Sequence, residues 1–146
     1  MKTIYTFLLA LGLFGIVACS GSRKASQTHS PPKLLNEYTF ELREISTDPE
    51  YGYTEKKPIK VGGASSSEGP KNERRFLNAL AGPNGEKITY KRLRSCCAFK
   101  SDNSPMGAGM LDVYELEWDG LDKPVQLYIN MYDPGEIKAP KDFTIK

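Results

Sequence analysis

Two adjacent cysteines, Cys96 and Cys97, are the residues of this 146-residue chain whose types and spacing most invite chemistry. Neighbouring Cα atoms lie about 3.8 Å apart across a trans peptide, and in a regular strand the two side chains would point to opposite faces. Residues 95–105 are predicted to form a loop leaving a strand, which would permit a bond between the two sulfurs. A vicinal disulfide is the first expectation; two buried thiols, or thiols that bind a metal or a second chain, are the alternatives. A catalytic redox role is not expected, because no spacing and no neighbouring histidine tunes a thiolate.

The remaining residues show no catalytic pattern. His29 lies in a Ser/Pro-rich stretch, where it is predicted to be a solvated spacer. Because it is the single histidine, no second histidine can act as a base for Ser or Cys. Residues 106–110 are a lone glycine-rich turn without a phosphate-binding pattern. Glu115 and Glu117 share one strand face and are interpreted as solubilising charges. We therefore expect no catalytic residues, no cofactor and no metal site.

The first nineteen residues have the pattern of a targeting signal. Lys2 precedes an uncharged stretch at residues 4–17, which has the length of a signal peptide and is too short to span a bilayer. The stretch ends in Ile-Val-Ala-Cys, which resembles the lipobox of bacterial lipoproteins. That resemblance implies that residues 1–18 are a removed signal peptide and that Cys19 is acylated. Two or three acyl chains, at about 0.8 kcal/mol per buried methylene, would then hold the protein on the membrane.

Residues 19–36 are predicted to be the lipidated cysteine and a flexible tether, because the stretch is rich in Ser and contains a Pro pair. As a coil it would span roughly 20–25 Å. Ser20 is not Asp, and no acidic residue precedes Glu37. By resemblance to other lipoproteins this favours the periplasmic side of the outer membrane, with the inner membrane and the cell surface as alternatives.

Residues 37–146 are predicted to form a single α+β domain. Alternating apolar residues and turn signals predict strands at residues 37–45, 59–61, 86–95, 111–118 and 125–132. The strand at 59–61 follows Pro58 and is expected at a sheet edge. The alternation of residues 86–95 shifts register at Leu93, which predicts a β-bulge. The last two strands are expected to form a hairpin.

One helix is predicted between Pro70 and the Gly82-Pro83 stop, with Phe76, Leu77, Leu80 and Ala81 at helical spacing. The opposite stripe is interpreted as a solvated face and consists of Lys71, Arg75 and Asn78. The economical architecture is an antiparallel sheet of about five strands with this helix packed on one face.

The last predicted strand offers the candidate interaction face. Its apolar residues, which should face the core, are Val125, Leu127, Ile129 and Met131. Its other side combines polar and aromatic groups, as contact surfaces often do, and consists of Gln126, Tyr128, Asn130 and Tyr132. The alternative is that the tyrosines only shield the sheet.

The charge balance and one family resemblance reduce the number of possible functions. With 20 basic and 18 acidic residues, the charge of +2 is too small to drive nucleic-acid binding. From Tyr51 onward, above all in residues 60–101 and 106–136, the chain resembles a family of small uncharacterised bacterial lipoproteins. Some members carry the name 2-dehydro-3-deoxyphosphooctonate aldolase. That activity belongs to cytoplasmic TIM barrels of roughly twice this length, so the residues here do not support the name.

Two functions remain as hypotheses. The first is a lipid-anchored, periplasm-facing module that docks on another envelope protein. The second is a small-ligand carrier or an enzyme with a pocket between helix and sheet near Cys96 and Cys97. A flat exposed patch would favour docking, whereas a concave pocket lined by convergent polar groups would favour the ligand.

Overall fold

The computed structural model describes residues 32–146. In chain order the strands are β1 (Leu34–Asn36), β2 (Thr39–Phe40), β3 (Ile59–Lys60), β4 (Leu80–Ala81), β5 (Thr89–Lys100), β6 (Ala108–Glu117), β7 (Val125–Asn130) and β8 (Thr144–Ile145). A 3₁₀ turn at Ala64–Ser66 precedes the α-helix, α1 (Gly69–Asn78). The α+β class with one α-helix is therefore confirmed for the described residues. None of their helices is long and apolar enough to cross a bilayer.

The main sheet has four strands in the order β3-β7-β6-β5, rather than about five. It is also mixed, because β3 runs parallel to β7 while the other pairs are antiparallel. The hairpin of β6 and β7 is confirmed, as is the edge position of β3. The bulge at Leu93 is confirmed by the register shift between Arg92 and Arg94.

The missing fifth strand is the segment 37–45, of which only Thr39–Phe40 is extended in a ladder, with β1. Phe40 and Leu42 are buried, as the alternation predicts, whereas Tyr38, which the same alternation places on their face, is exposed. The backbone nevertheless bonds elsewhere: Glu41 N–H donates to Lys33 C=O and Ser46 N–H donates to Ala139 C=O. Alternation requires only one buried face, so it does not say which strand a segment joins. Leu34–Asn36, which the sequence assigns to the tether, form β1.

The helix begins with Pro70 in its first turn, where the missing N–H of proline costs nothing. It ends at Asn78 rather than at the Gly82-Pro83 stop, because Leu80–Ala81 pair with Thr144–Ile145 as a separate two-stranded sheet. Its buried side chains Phe76 and Leu77 belong to one cluster with residues of β6 and β7, namely Tyr114, Leu116, Leu127 and Ile129. We call the sheet face that carries these four residues the core face.

The helix stripe interpreted as a solvated face contacts the hairpin of β1 and β2 instead. Arg75 Nε donates to Glu37 C=O at 3.0 Å, and Asn78 Nδ2 donates to Tyr38 C=O at 2.8 Å. The Arg75 side chain is only 12% exposed and also contacts Glu68 at 2.8 Å. Because these polar groups bind backbone carbonyls, a hydrophilic stripe became a packing surface.

Candidate functional site

A groove of about 400 Å³ lies on the other face of the main sheet, which we call the groove face. The residue pairing places one row of side chains across it: Lys60 lies opposite Asn130, and Leu111 lies opposite Cys96. Asp112 is opposite Ile129 on the core face, so Leu111 and Asn130 are neighbours on the groove face. The groove is lined by Glu55, Lys56, Pro58, Lys60, Cys97, Ala98, Phe99, Lys100, Leu111, Asn130 and Asp133.

The sulfur atoms of Cys96 and Cys97 are bonded to each other, with the Cα atoms 3.8 Å apart. The pair lies within β5 and not in a loop after it, since the strand continues to Lys100. The pairing with β6 is irregular between Cys96 and Phe99, and Cys97 has a φ of +59°. This second bulge lets two successive side chains meet, which a regular strand forbids. Cys97 thereby faces the groove.

Asn130, a member of the candidate interaction face, forms the floor of the groove and is buried. Its Oδ1 accepts hydrogen bonds from the backbone N–H groups of Tyr132 and Asp133, at 2.8 and 3.0 Å. Its Nδ2 donates to Asp133 Oδ2 at 3.0 Å. The side chain therefore stabilises the chain reversal after β7, and strand alternation carries no signal for that.

Asp133 is the acidic residue at this end of the groove. Besides Asn130, it accepts hydrogen bonds from Ser101 Oγ at 2.6 Å and from Asn103 Nδ2 at 2.9 Å. Burial raises the pKa of its carboxyl, but the hydrogen bonds outweigh burial and leave the pKa below its usual value, with a small contribution from Lys60. The carboxylate is ionised and already satisfied by neutral donors.

Three lysines, Lys56, Lys60 and Lys100, line the same groove and are exposed. None of them forms an ion pair with an acid of residues 32–146. Other lysines of the domain do form such pairs, for example Lys57 with Asp48 at 2.8 Å and Lys91 with Glu115 at 2.7 Å. The groove is thus lined by basic side chains that form no ion pair within the described residues.

An aromatic pair flanks the groove. The rings of Phe99 and Tyr132 meet edge to face, with centroids 6.0 Å apart. They close over Gly109, where an added Cβ would lie 2.6 Å from Tyr132 Cδ2 and 2.9 Å from Phe99 Cζ. Gly109 therefore belongs to β6 for a packing reason and not to a glycine-rich turn. Tyr132, a member of the candidate interaction face, is half-buried and packs against Phe99.

The other two residues of the predicted interaction face are more accessible. Gln126 is exposed, and Tyr128 is half-buried while its backbone N–H donates to Gly52 C=O at 2.7 Å. The four predicted residues therefore do not form one flat patch, because Asn130 and Tyr132 are taken up by the fold.

A second polar cluster lies on the core face and was missed from the sequence. Glu73 of α1 is 0% exposed and accepts a hydrogen bond from Tyr114 O–H at 2.9 Å. Asp112 is bound in a bidentate manner by Arg92, at 2.7 and 2.8 Å, and by Ser95 Oγ at 2.8 Å. Glu73 precedes Phe76 by three positions and so shares its helix face, which is the signal that could have revealed it.

Burial and the nearby charge of Asp112 raise the pKa of Glu73 to about 8. Burial also raises the pKa of the Tyr114 hydroxyl. The carboxyl groups of this cluster are shut off from solvent, since Asp112 is 4% exposed. We interpret the cluster as an internal support between helix and sheet, because a substrate could not reach its carboxyl groups.

Cys19 and His29 lie outside the described residues. Within 32–146, no group of three or more His, Cys, Asp or Glu side chains is placed so that it could hold a metal ion. Comparisons of the chain with protein-family models, curated proteins and solved structures find no match. The geometry of the groove and the sequence patterns are therefore the basis for function.

Proposed function

We propose that this protein is a lipid-anchored lipoprotein of the bacterial envelope whose domain binds a small ligand in the groove beside the Cys96–Cys97 disulfide. The observation that carries the binding role is a concave site with a buried floor, Leu111 and Asn130, and several polar side chains at its rim. Its volume lies within the range of about 300–1,000 Å³ that is usual for ligand pockets. In this proposal the helix packs on the core face and leaves the groove face open.

The anchor rests on the sequence pattern that ends at Cys19 and on the lipoprotein resemblance. In this proposal the tether is shorter than the sequence predicts, because β1 is already paired from Leu34. The domain would then work close to the membrane, on the periplasmic side of the outer membrane.

The anchor is tested by fractionating cells that produce Cys19→Ala. Without the thiol no acyl chain can be attached, so the variant should leave the membrane fraction and lose the mass of the lipid. Retention in the membrane with an unchanged mass would contradict the lipoprotein proposal.

The groove is tested by filling it. Ala98→Trp should block the site, whereas Ala108→Trp, at an exposed alanine of the neighbouring strand that does not line the groove, is the matched control. The probe is the low-molecular-weight fraction of heat-treated, protease-treated envelopes. We expect it to raise the melting temperature of the wild type and of the control but not of Ala98→Trp. An equal response of all three proteins, or none in the wild type, would refute binding in the groove.

Docking on an envelope protein is the second candidate, favoured by the exposed Gln126 and the half-buried Tyr128 on the groove face. Tyr128→Ala should then abolish crosslinks to that protein in intact envelopes without changing the fold. Retained crosslinks would place any docking surface elsewhere.

A further inference from the structure

We infer that the groove binds a small organic anion, a carboxylate or a phosphate ester carried on a single ring. This inference rests on the proposed binding function and names its ligand class. Its first support is the arrangement of Lys56, Lys60 and Lys100 around one concavity.

The charge within the groove is not neutralised by the fold. Of its two acids, Asp133 is satisfied by Ser101, Asn103 and Asn130, and the remaining one is Glu55 at the exposed rim. No lysine of the groove is paired with an acid in the part of the chain that the structure describes. Because neutral donors leave the charge of Asp133 in place, the three lysines face two carboxylates, and the net charge of +1 favours an anion.

The surfaces between the lysines fit a ring. Cys97 brings the disulfide to the groove, Phe99 presents an aromatic side chain, and Leu111 is a buried aliphatic floor. Such groups can cover the apolar face of a sugar or an aromatic ring, while the ammonium groups bind the acidic substituent. A volume of about 400 Å³ accommodates one ring with its substituent and a few waters.

The position of the lysines gives the site two sides. Lys56 lies before β3 and Lys60 lies at its end, whereas Lys100 ends β5 at the opposite edge of the sheet. An anion in the groove would therefore lie between cations from both edges. This arrangement should discriminate against neutral ligands of the same shape.

The test uses matched ligands with the folded wild-type protein. The pairs are glucuronate with glucose, glucose 6-phosphate with glucose, and benzoate with benzyl alcohol, and inorganic phosphate serves as an anion without a ring. Calorimetry should detect binding of at least one ring anion, much weaker binding of its neutral partner and of inorganic phosphate, and a loss of affinity as salt rises.

The variants assign the effect to the groove. Lys60→Gln combined with Lys100→Gln should weaken binding of the ring anion by about tenfold, because two exposed ammonium groups that would each pair with the anion are removed. Lys123→Gln, in the exposed turn at the far end of β7, should leave affinity unchanged. Melting curves of both variants verify the fold.

The outcomes separate the two proposals. If the envelope fraction stabilises the wild type and Ala98→Trp abolishes the effect, yet no ring anion binds, the groove is a ligand site and the anion inference is wrong. Anion binding that survives Lys60→Gln with Lys100→Gln also overturns the inference. If neither the fraction nor any anion binds, both proposals fail.

Discussion

The two faces of the four-stranded sheet differ in how far they are closed to solvent. The core face is closed: Leu116, Leu127 and Ile129 have no exposed surface and pack in one cluster with the helix residues Phe76 and Leu77. The groove face is open at one end, where the fold gathers lysines without acidic partners. The carboxyl groups on the core face are enclosed, and Glu73 Oε1 has no hydrogen-bond partner within residues 32–146, whereas the lysines of the groove remain exposed. In our proposal the unpaired charges of the groove, and not the buried polar cluster, mark the binding side of this molecule.

The largest expected difference between the faces comes from two leucines of β6. Leu116 points to the core face and Leu111 to the groove face, and both are nearly inaccessible to solvent. Leu116→Ala should lower the free energy of unfolding by about 4 kcal/mol, because a closed core cannot collapse into the cavity, whereas Leu111→Ala should cost about 2 kcal/mol. Urea unfolding of the two variants measures the difference. Equal losses would show that the groove face is packed as tightly as the core.

The sequence predicted much of what the two faces share and little of what separates them. The β6–β7 hairpin, the apolar side of β7 and the bulge at Leu93 follow from alternation and turn chemistry, which are local. The groove depends on the parallel pairing of β3 with β7, which brings the preceding residues 55–58 to the sheet. Such a pairing between distant segments leaves no local pattern in the sequence.

The cysteine pair shows the same limit. Adjacent cysteines predicted a vicinal disulfide among other outcomes, but they were placed in a loop because a regular strand separates successive side chains. A bulge inside β5 removes that restriction, and only the pairing with β6 reveals it. Asn130 is a further case, since its partners come from the reversal after the strand.

The pH dependence of the unfolding free energy should report on Glu73 of the core face and not on the groove. The folded state holds the Glu73 proton up to a pKa of about 8, whereas the unfolded chain releases it near the ordinary value of 4.5. The stabilisation is therefore complete below the unfolded pKa and is lost as pH rises through the folded one. Between these values stability should fall by at most about 1.4 kcal/mol per pH unit.

Glu73→Gln removes this proton while retaining the size and the hydrogen-bonding capacity of the protonated acid. Its unfolding free energy should be nearly flat over the same range and should exceed that of the wild type above pH 8. The groove variant Lys60→Gln should keep the wild-type slope. A wild-type slope that persists in Glu73→Gln would assign the pH dependence to another group.

The smallest effect is expected from the disulfide, which belongs to the wall of the groove. A bond between adjacent residues closes almost no loop, so it restricts the unfolded chain little, and Cys96→Ser combined with Cys97→Ser should cost about 1 kcal/mol. Intact mass after alkylation, with and without reductant, verifies that the wild type holds the bond. Urea unfolding then gives the loss, which should be well below that of Leu116→Ala. A loss as large as that of the core leucine would mean that the disulfide organises the whole sheet, and the proposed division between a structural face and a binding face would have to be abandoned.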